Sequence, residues 1–249
     1  MFFLVPVENV VAPAGKLGYN LNTVLPEYYP ANRLRMFFMT NREKVSIIAR
    51  RLKKEYSGTP LTALRFSTPF ELMVATILSA QTTDVQVNKI TPGLFKKYNS
   101  MEAFAKAKPE QIAKDINSVN FFNNKAKNIH KAAVMLLESF GGTVPRTMEE
   151  LITLPGVARK TANIVLSSSF GINEGIAVDT HVKRLSFLLG LTKHTDPVKI
   201  EKDLMTMVPQ KEWGDFSHLL IYHGRAVCQA RKPQHDKCVL FDICPSRNI

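Results

Sequence analysis

The chain has 249 residues, 33 Lys+Arg against 21 Asp+Glu, 45% hydrophobic residues and 3 cysteines. That length suits one large domain or two small ones, and the apolar fraction excludes intrinsic disorder. No apolar run approaches the ~20 residues that span a bilayer, three cysteines cannot build a disulfide framework, and a net charge of +12 favours a polyanion: nucleic acid first, an anionic membrane surface second.

The charge belongs to the body of the chain. Residues 41–150 hold 17 basic and 10 acidic residues, and residues 151–249 hold 13 and 9. Residues 1–39 contain prolines and no helical apolar period, and read as a flexible N-terminal extension. The apolar start Met1–Val5 is cut short by Glu8, so no secretory signal is read, and few basic residues argue against a transit peptide. The expected location is therefore intracellular, in cytoplasm or nucleoid. Met36 and Met39 stand just before the first helix signal and are candidate natural starts.

From residue 40 the signals are helical. Thr40-Asn41-Arg42-Glu43 has capping-box spacing, followed by Val45, Ile48 and Leu52 at helical intervals. Thr68-Pro69-Phe70-Glu71 opens the apolar run Leu72 to Ala80, and Asp84 reads as a helix cap after a polar loop. Thr147 to Glu150 repeats the capping spacing. Gly190 marks a stop after Leu188-Leu189, and Asp196-Pro197 opens a helix with Ile200 and Leu204 on one face. Strand-type alternation is absent. The fold class is all-α, with about ten short helices.

Residues 147–169 carry the most chemistry. A capped helix runs into Leu154-Pro155-Gly156-Val157-Ala158, and a second helix starts near Arg159. Proline and glycine make a tight turn that presents backbone N–H groups at a helix start, a setting that binds phosphate; an ordinary helical hairpin has the same pattern. Lys160 lies in the first turn of the second helix. The dipole, Arg159 beside it and partial burial are expected to lower its pKa and leave some neutral amine, as a Schiff-base nucleophile requires. A surface lysine on a DNA phosphate is the plainer reading. Asp179 ends the apolar triplet Ile176-Ala177-Val178 and precedes a helix with Val182, Leu185 and Leu189. It suits a helix N-cap, and a carboxylate fixed there also suits stabilising a sugar cation.

Residues 154–182 resemble the helix-hairpin-helix plus Gly/Pro…Asp segment of DNA glycosylases, in particular the endonuclease III family. The resemblance runs from about Met39 to about Cys244. It includes Leu78 to Asp84, Lys125 to Ile129, Leu154 to Ala162, Val178-Asp179-Thr180-His181 and His223-Gly224-Arg225. It implies that Lys160 is the nucleophile that attacks C1′ and forms a Schiff base, and that Asp179 assists base departure. It implies β-elimination 3′ to the lesion. Gln81 matches the residue that fills the gap left by the extruded base, and Phe121 a wedge position. His181 and the turn residues Leu154, Pro155, Gly156, Val157 and Arg159 match DNA contacts. Asn120 stands where the family often has glycine, and Ala158 replaces the second hairpin glycine.

The family often has four cysteines spaced C-x6-C-x2-C-x5-C around a [4Fe-4S] cluster. Here the run is Cys228, His235, Cys238 and Cys244, with the spacing kept and histidine second. Imidazole replaces thiolate at some iron–sulfur centres. Structural zinc and a lost cluster stay open, and the expectation is a [4Fe-4S] cluster with His235 as a ligand. Arg231 and Lys232, between these positions, read as phosphate contacts.

The resemblance implies two helical domains flanking a DNA-binding cleft. Residues 62–172 would form a helical barrel with the hairpin. Residues 40–61 and 173–249 would form the second domain, ending in the metal-cluster loop. The expected function is a bifunctional DNA glycosylase and abasic-site lyase for oxidised pyrimidines in duplex DNA, acting as a monomer and not on membranes. The alternatives are a monofunctional adenine or thymine mismatch glycosylase and a non-catalytic helix-hairpin-helix DNA-binding protein.

Overall fold

Most helices among the described residues begin at a short polar side chain that takes the first free N–H groups. The computed structural model describes residues 39–247; among them eleven α-helices and three 3-10 turns follow one another and no strand occurs. The all-α class expected from the sequence is the one found. The extension read over residues 1–39 lies, apart from Met39, outside the described residues.

Helix α1 (Asn41–Glu55) starts at a full capping box: Thr40 Oγ1 accepts from Glu43 N at 3.3 Å, and the Glu43 carboxylate accepts from Thr40 N at 2.8 Å. Helix α2 (Pro69–Ser79) has Thr68 as cap and Pro69 at its first position. Helix α3 (Asp84–Lys97) departs from the sequence reading by one residue. Thr83, not Asp84, is the cap, and its hydroxyl accepts from Gln86 N. The short α4 (Met101–Lys106) and α5 (Pro109–Asp115) precede the long α6 (Phe122–Ser139). Then come α7 (Met148–Leu151), α8 (Arg159–Phe170), α9 (Thr180–Leu188), α10 (Pro197–Met207) and α11 (Trp213–Ala226). The expected stop at Gly190 holds: its φ is 67°, a conformation glycine takes without steric cost.

Two hydrophobic clusters organise the residues from Thr40 onward. The first joins α2 to α8 around Leu72, Leu78, Phe104, Ile129, Leu136 and Leu151. The stripe Ala126, Ile129, Ala132, Ala133, Leu136 on α6 recurs at three- and four-residue steps, and its alanines let α4 and α5 pack close. The second cluster gathers α1, α9, α10 and α11 around Ile48, Leu52, Leu185, Ile200 and Phe216. Each fully buried leucine or isoleucine contributes about 2 kcal/mol.

A polar tie joins the two clusters: Asn163 on α8 donates to Glu201 on α10 at 2.9 Å. Within the second, Ser217 on α11 donates to the Ala177 carbonyl at 2.6 Å. A Cβ on Gly224 would lie 3.0 Å from His181 Nδ1 and 3.1 Å from its Cβ, so a larger residue would have to push the His181 side chain aside where α11 approaches the start of α9. No helix among the described residues is long and apolar enough to cross a membrane.

Candidate active site

A cleft of about 850 Å³ opens where the two clusters meet. Ser79, Gln81 to Val85 and Lys160 line it from the first cluster's elements; Val178 to His181, Lys183, Pro197 and Arg225 line it from the second's. Lys160 and Asp179, nineteen residues apart in sequence, thus share one cavity. Asp179 is the N-cap of α9: its Oδ1 accepts from His181 N and Val182 N, both at 2.8 Å. Those two bonds fix the carboxylate and leave Oδ2 for the cleft. His181 is half-buried beside it, with its Nδ1 buried against Gly224 of α11. Burial pushes its pKa down against the opposing field of Asp179. Across the cleft Arg225 Nη2 donates to Asp84 Oδ2 at 2.8 Å, an ion pair that the sequence reading does not contain.

Lys160 is exposed, so the partial burial expected of it is absent. The repulsion expected from Arg159 is offset as well. Arg159 Nε donates to Glu201 at 2.8 Å, and Glu201 is almost fully buried. Arg159, read from the sequence as a DNA contact, is thereby held by a carboxylate of the protein itself. Glu201 had a legible signal. With Leu204 and Val208 it forms an i, i+3, i+7 set, a charge on an otherwise apolar stripe.

The turn before Lys160 is built as its sequence suggests. Gly156 has φ 82°, a backbone that strains any other residue, and a Cβ there would also crowd Asn128 Cβ at 3.0 Å. Ala158, by contrast, caps α8 in extended conformation with φ −86°, where alanine is unstrained, and it supplies no side-chain acceptor to the first N–H groups. Leu154 and Val157 are buried in the first cluster, so they anchor the turn and can offer a partner only backbone. Pro155 is half-buried and Gly156 exposed.

Gln81 and Phe121 sit on two loops at the near side of the first cluster. Both are exposed, and both have positive φ, 55° and 57°. For non-glycine residues that conformation costs about 1–2 kcal/mol each. Asn120 itself does not have positive φ; the left-handed turn falls on Phe121 instead. Lys125, matched only as part of a family motif, proves to be a buried cation that donates three hydrogen bonds into the Gln81 loop.

At the C-terminal end Cys228, His235, Cys238 and Cys244 all line one small cavity of about 30 Å³, with Leu188, Phe241 and Arg247. The three thiols are free and partly buried. Burial pushes each of them up, and Cys228 and Cys244 raise Cys238 further by their nearness. Among the described residues no three His, Cys, Asp or Glu are gathered closely enough to hold a single metal ion. Cys228, His235, Cys238 and Cys244 nevertheless converge on one cavity, and three thiols with an imidazole are a donor set that suits an iron–sulfur cluster or zinc. His223 touches one of these thiols, with Nε2 3.4 Å from Cys238 Sγ and Nδ1 3.0 Å from the Tyr56 hydroxyl. Arg231 and Lys232 are exposed on this loop and do not line the cleft.

Residues 74–210 match the family model described as HhH-GPD superfamily base excision DNA repair protein. The chain is 54% identical over 207 residues to endonuclease III of Synechocystis sp., covering 83% of this chain and 94% of that protein. It is 40% identical over 206 residues to endonuclease III of Escherichia coli K12, covering 83% and 96%. Among solved structures it is similar to a trapped endonuclease III–DNA covalent intermediate, with TM-score 0.79 and 40% identity over 84% of this chain and 98% of that one. A thermostable thymine-DNA glycosylase matches with TM-score 0.71 and 26% identity, covering 83% and 96%. With this hairpin, this cleft and these relatives, the chain belongs to the endonuclease III family within the HhH-GPD superfamily of base excision DNA repair proteins.

Proposed function

We propose that the chain is a bifunctional DNA glycosylase and abasic-site lyase that removes oxidised pyrimidines from duplex DNA. The observation that carries this reading is that Lys160 and Asp179 line the same cleft. The two hydrophobic clusters act as two domains, with the duplex lying along the cleft between them. The N–H groups that open α8 hold a phosphate, an electrostatic contact without base specificity. The damaged nucleotide turns out of the stack into the cleft, Gln81 takes its place and Phe121 wedges the neighbouring step.

Lys160 Nζ, unprotonated, then bonds to C1′ while the glycosidic bond breaks and its electron pair leaves with the base. Asp179, held by two backbone N–H groups, faces the positive charge that develops on the sugar. Ring opening converts the adduct to a protonated imine. Loss of a C2′ proton expels the 3′ phosphate, which nicks the strand, and water releases Lys160.

Cys228, His235, Cys238 and Cys244 would hold a [4Fe-4S] cluster. Bound there, it would cross-link the C-terminal loop and supply a redox couple whose potential a histidine donor raises. The cations Arg231 and Lys232 on this loop would meet phosphate.

Borohydride trapping on duplex DNA containing thymine glycol tests the reading. A covalent adduct is expected, and it is lost in Lys160→Ala. No adduct with the intact protein would favour a monofunctional or non-catalytic relative, and an adduct that survives the substitution would move the nucleophile elsewhere.

A further inference from the structure

Gln81 and Phe121 are the two non-glycine residues with positive φ among the described residues, and they stand forty positions apart. Their loops are nevertheless fastened to each other. Lys125, in the first turn of α6, is only 6% exposed. Its Nζ donates to the carbonyls of Leu78 at 2.7 Å and Ala80 at 2.6 Å, and to Thr82 Oγ1 at 3.3 Å. Those carbonyls end α2, where a helix leaves acceptors unmatched and its dipole favours a cation. Asn120 adds a second tie. Its backbone N–H donates to Thr82 Oγ1 at 3.2 Å, and its side-chain amide donates to the carbonyl of Gln81 itself.

The side chains so held point away from the core. Phe121 is 61% exposed, a large apolar ring kept in water by an unfavourable backbone conformation. Strain and exposure at two joined sites serve no packing purpose that the fold displays, and strain of this kind clusters at functional sites. Lys125 does not line the cleft, so any effect it has on a bound duplex passes through the loops it holds.

We propose that Lys125 and Asn120 are positioning residues that lock Gln81 and Phe121 into one rigid, two-pronged wedge, so that both side chains enter a duplex together. The proposal rests on the reading of Gln81 as gap filler and Phe121 as wedge. Opening a base step opposes insertion, and a side chain on a free loop would add the loss of its own freedom to that cost. Here the ordering is completed when the protein folds. Burial pushes the Lys125 pKa down, while its three acceptors hold the charged form in place. The Asn120 amide is the part of the lock peculiar to a side chain that glycine would lack.

The test is a double-mutant cycle on duplex opening. The probe is a duplex carrying an uncleavable tetrahydrofuran abasic analogue with 2-aminopurine opposite, followed by stopped-flow fluorescence. In the wild-type background Gln81→Ala and Phe121→Ala should each slow opening about tenfold, and the pair hardly more than either alone, the mark of groups acting as a unit. In an Asn120→Gly background, which keeps the backbone tie and removes the amide, the two losses should instead multiply. Lys125→Met should do the same; if it does not fold, Asn120→Gly carries the test by itself. If neither Gln81→Ala nor Phe121→Ala slows opening, the wedge reading fails and the lock with it. If both slow it but their effects already multiply in the wild-type background, the lock alone is overturned.

Discussion

Arg159 Nε lies 2.8 Å from Glu201 Oε2, so the guanidinium next to Lys160 is paired within the protein. Glu201 also accepts from Asn163 at 2.9 Å, and one buried carboxylate thereby joins the start of α8 to α10. Removing it leaves the buried Asn163 amide without its acceptor. Glu201→Ala is expected to cost about 2–3 kcal/mol, read as a lower urea midpoint at unchanged slope. A loss below ~0.5 kcal/mol would show that the pair is ornamental to stability.

Asp179 has two roles that substitution can separate. Asparagine keeps an acceptor for the His181 and Val182 N–H groups, so Asp179→Asn should leave stability within ~0.5 kcal/mol, whereas Asp179→Ala should lose about 1 kcal/mol of capping. Both should slow base excision by about 10²-fold or more, because both remove the charge facing the sugar. Nicking of a preformed abasic site should fall much less. Equal losses in excision and nicking would contradict the assigned role.

Burial pushes His218 down to about 4, while the ordinary histidine value is 6.5. Between those values the unfolded chain binds a proton that the folded one refuses. The contribution is therefore absent as a penalty above pH 6.5, grows as pH falls through that window and is complete below about 4. The full penalty is roughly 3 kcal/mol. Urea midpoints at pH 7 and pH 4.5 should differ more in the wild-type protein than in His218→Gln.

Arg231 and Lys232 are exposed and outside the lining of the cleft, so their contribution should be purely electrostatic. Each replacement by alanine should weaken duplex binding equally across sequences and flatten the plot of log K against log salt by about one unit. An unchanged slope would remove these residues from the DNA path.

The metal loop is open to direct measurement. Purified protein from anaerobic preparation should contain iron and show broad visible absorption, and Cys238→Ser should lose both. His235→Cys should keep the iron and lower the reduction potential, because thiolate stabilises the oxidised cluster more than imidazole does. Zinc in place of iron would reverse the assignment.

Several of these residues were legible as local patterns. Thr40, Thr68, Thr147 and Asp196 each cap the helix that their spacing foretells, since a cap needs only the backbone of one turn. Gly156 announces its turn for the same reason. Glu201 and Lys125 left a fainter trace, a charge on an apolar stripe. A stripe records that a residue is buried and says nothing of what it meets. Asp84 was misplaced by one residue because Thr83 and Asp84 are both good caps, and only backbone geometry chooses between them.

The sequence by itself determined the helical class and the hairpin turn, carried by chemistry within a few residues, and it singled out Lys160 and Asp179 through a resemblance that runs along most of the chain. Tertiary structure alone decided that these two share a cleft and that Asp84 meets Arg225 across it, 141 positions away. It also decided that Arg159 answers to Glu201, 42 positions away, and that Lys125 binds the loop of Gln81. Local propensity acts through the backbone over one or two turns. Contacts at such separations exist only once two hydrophobic clusters have packed and brought their polar edges together.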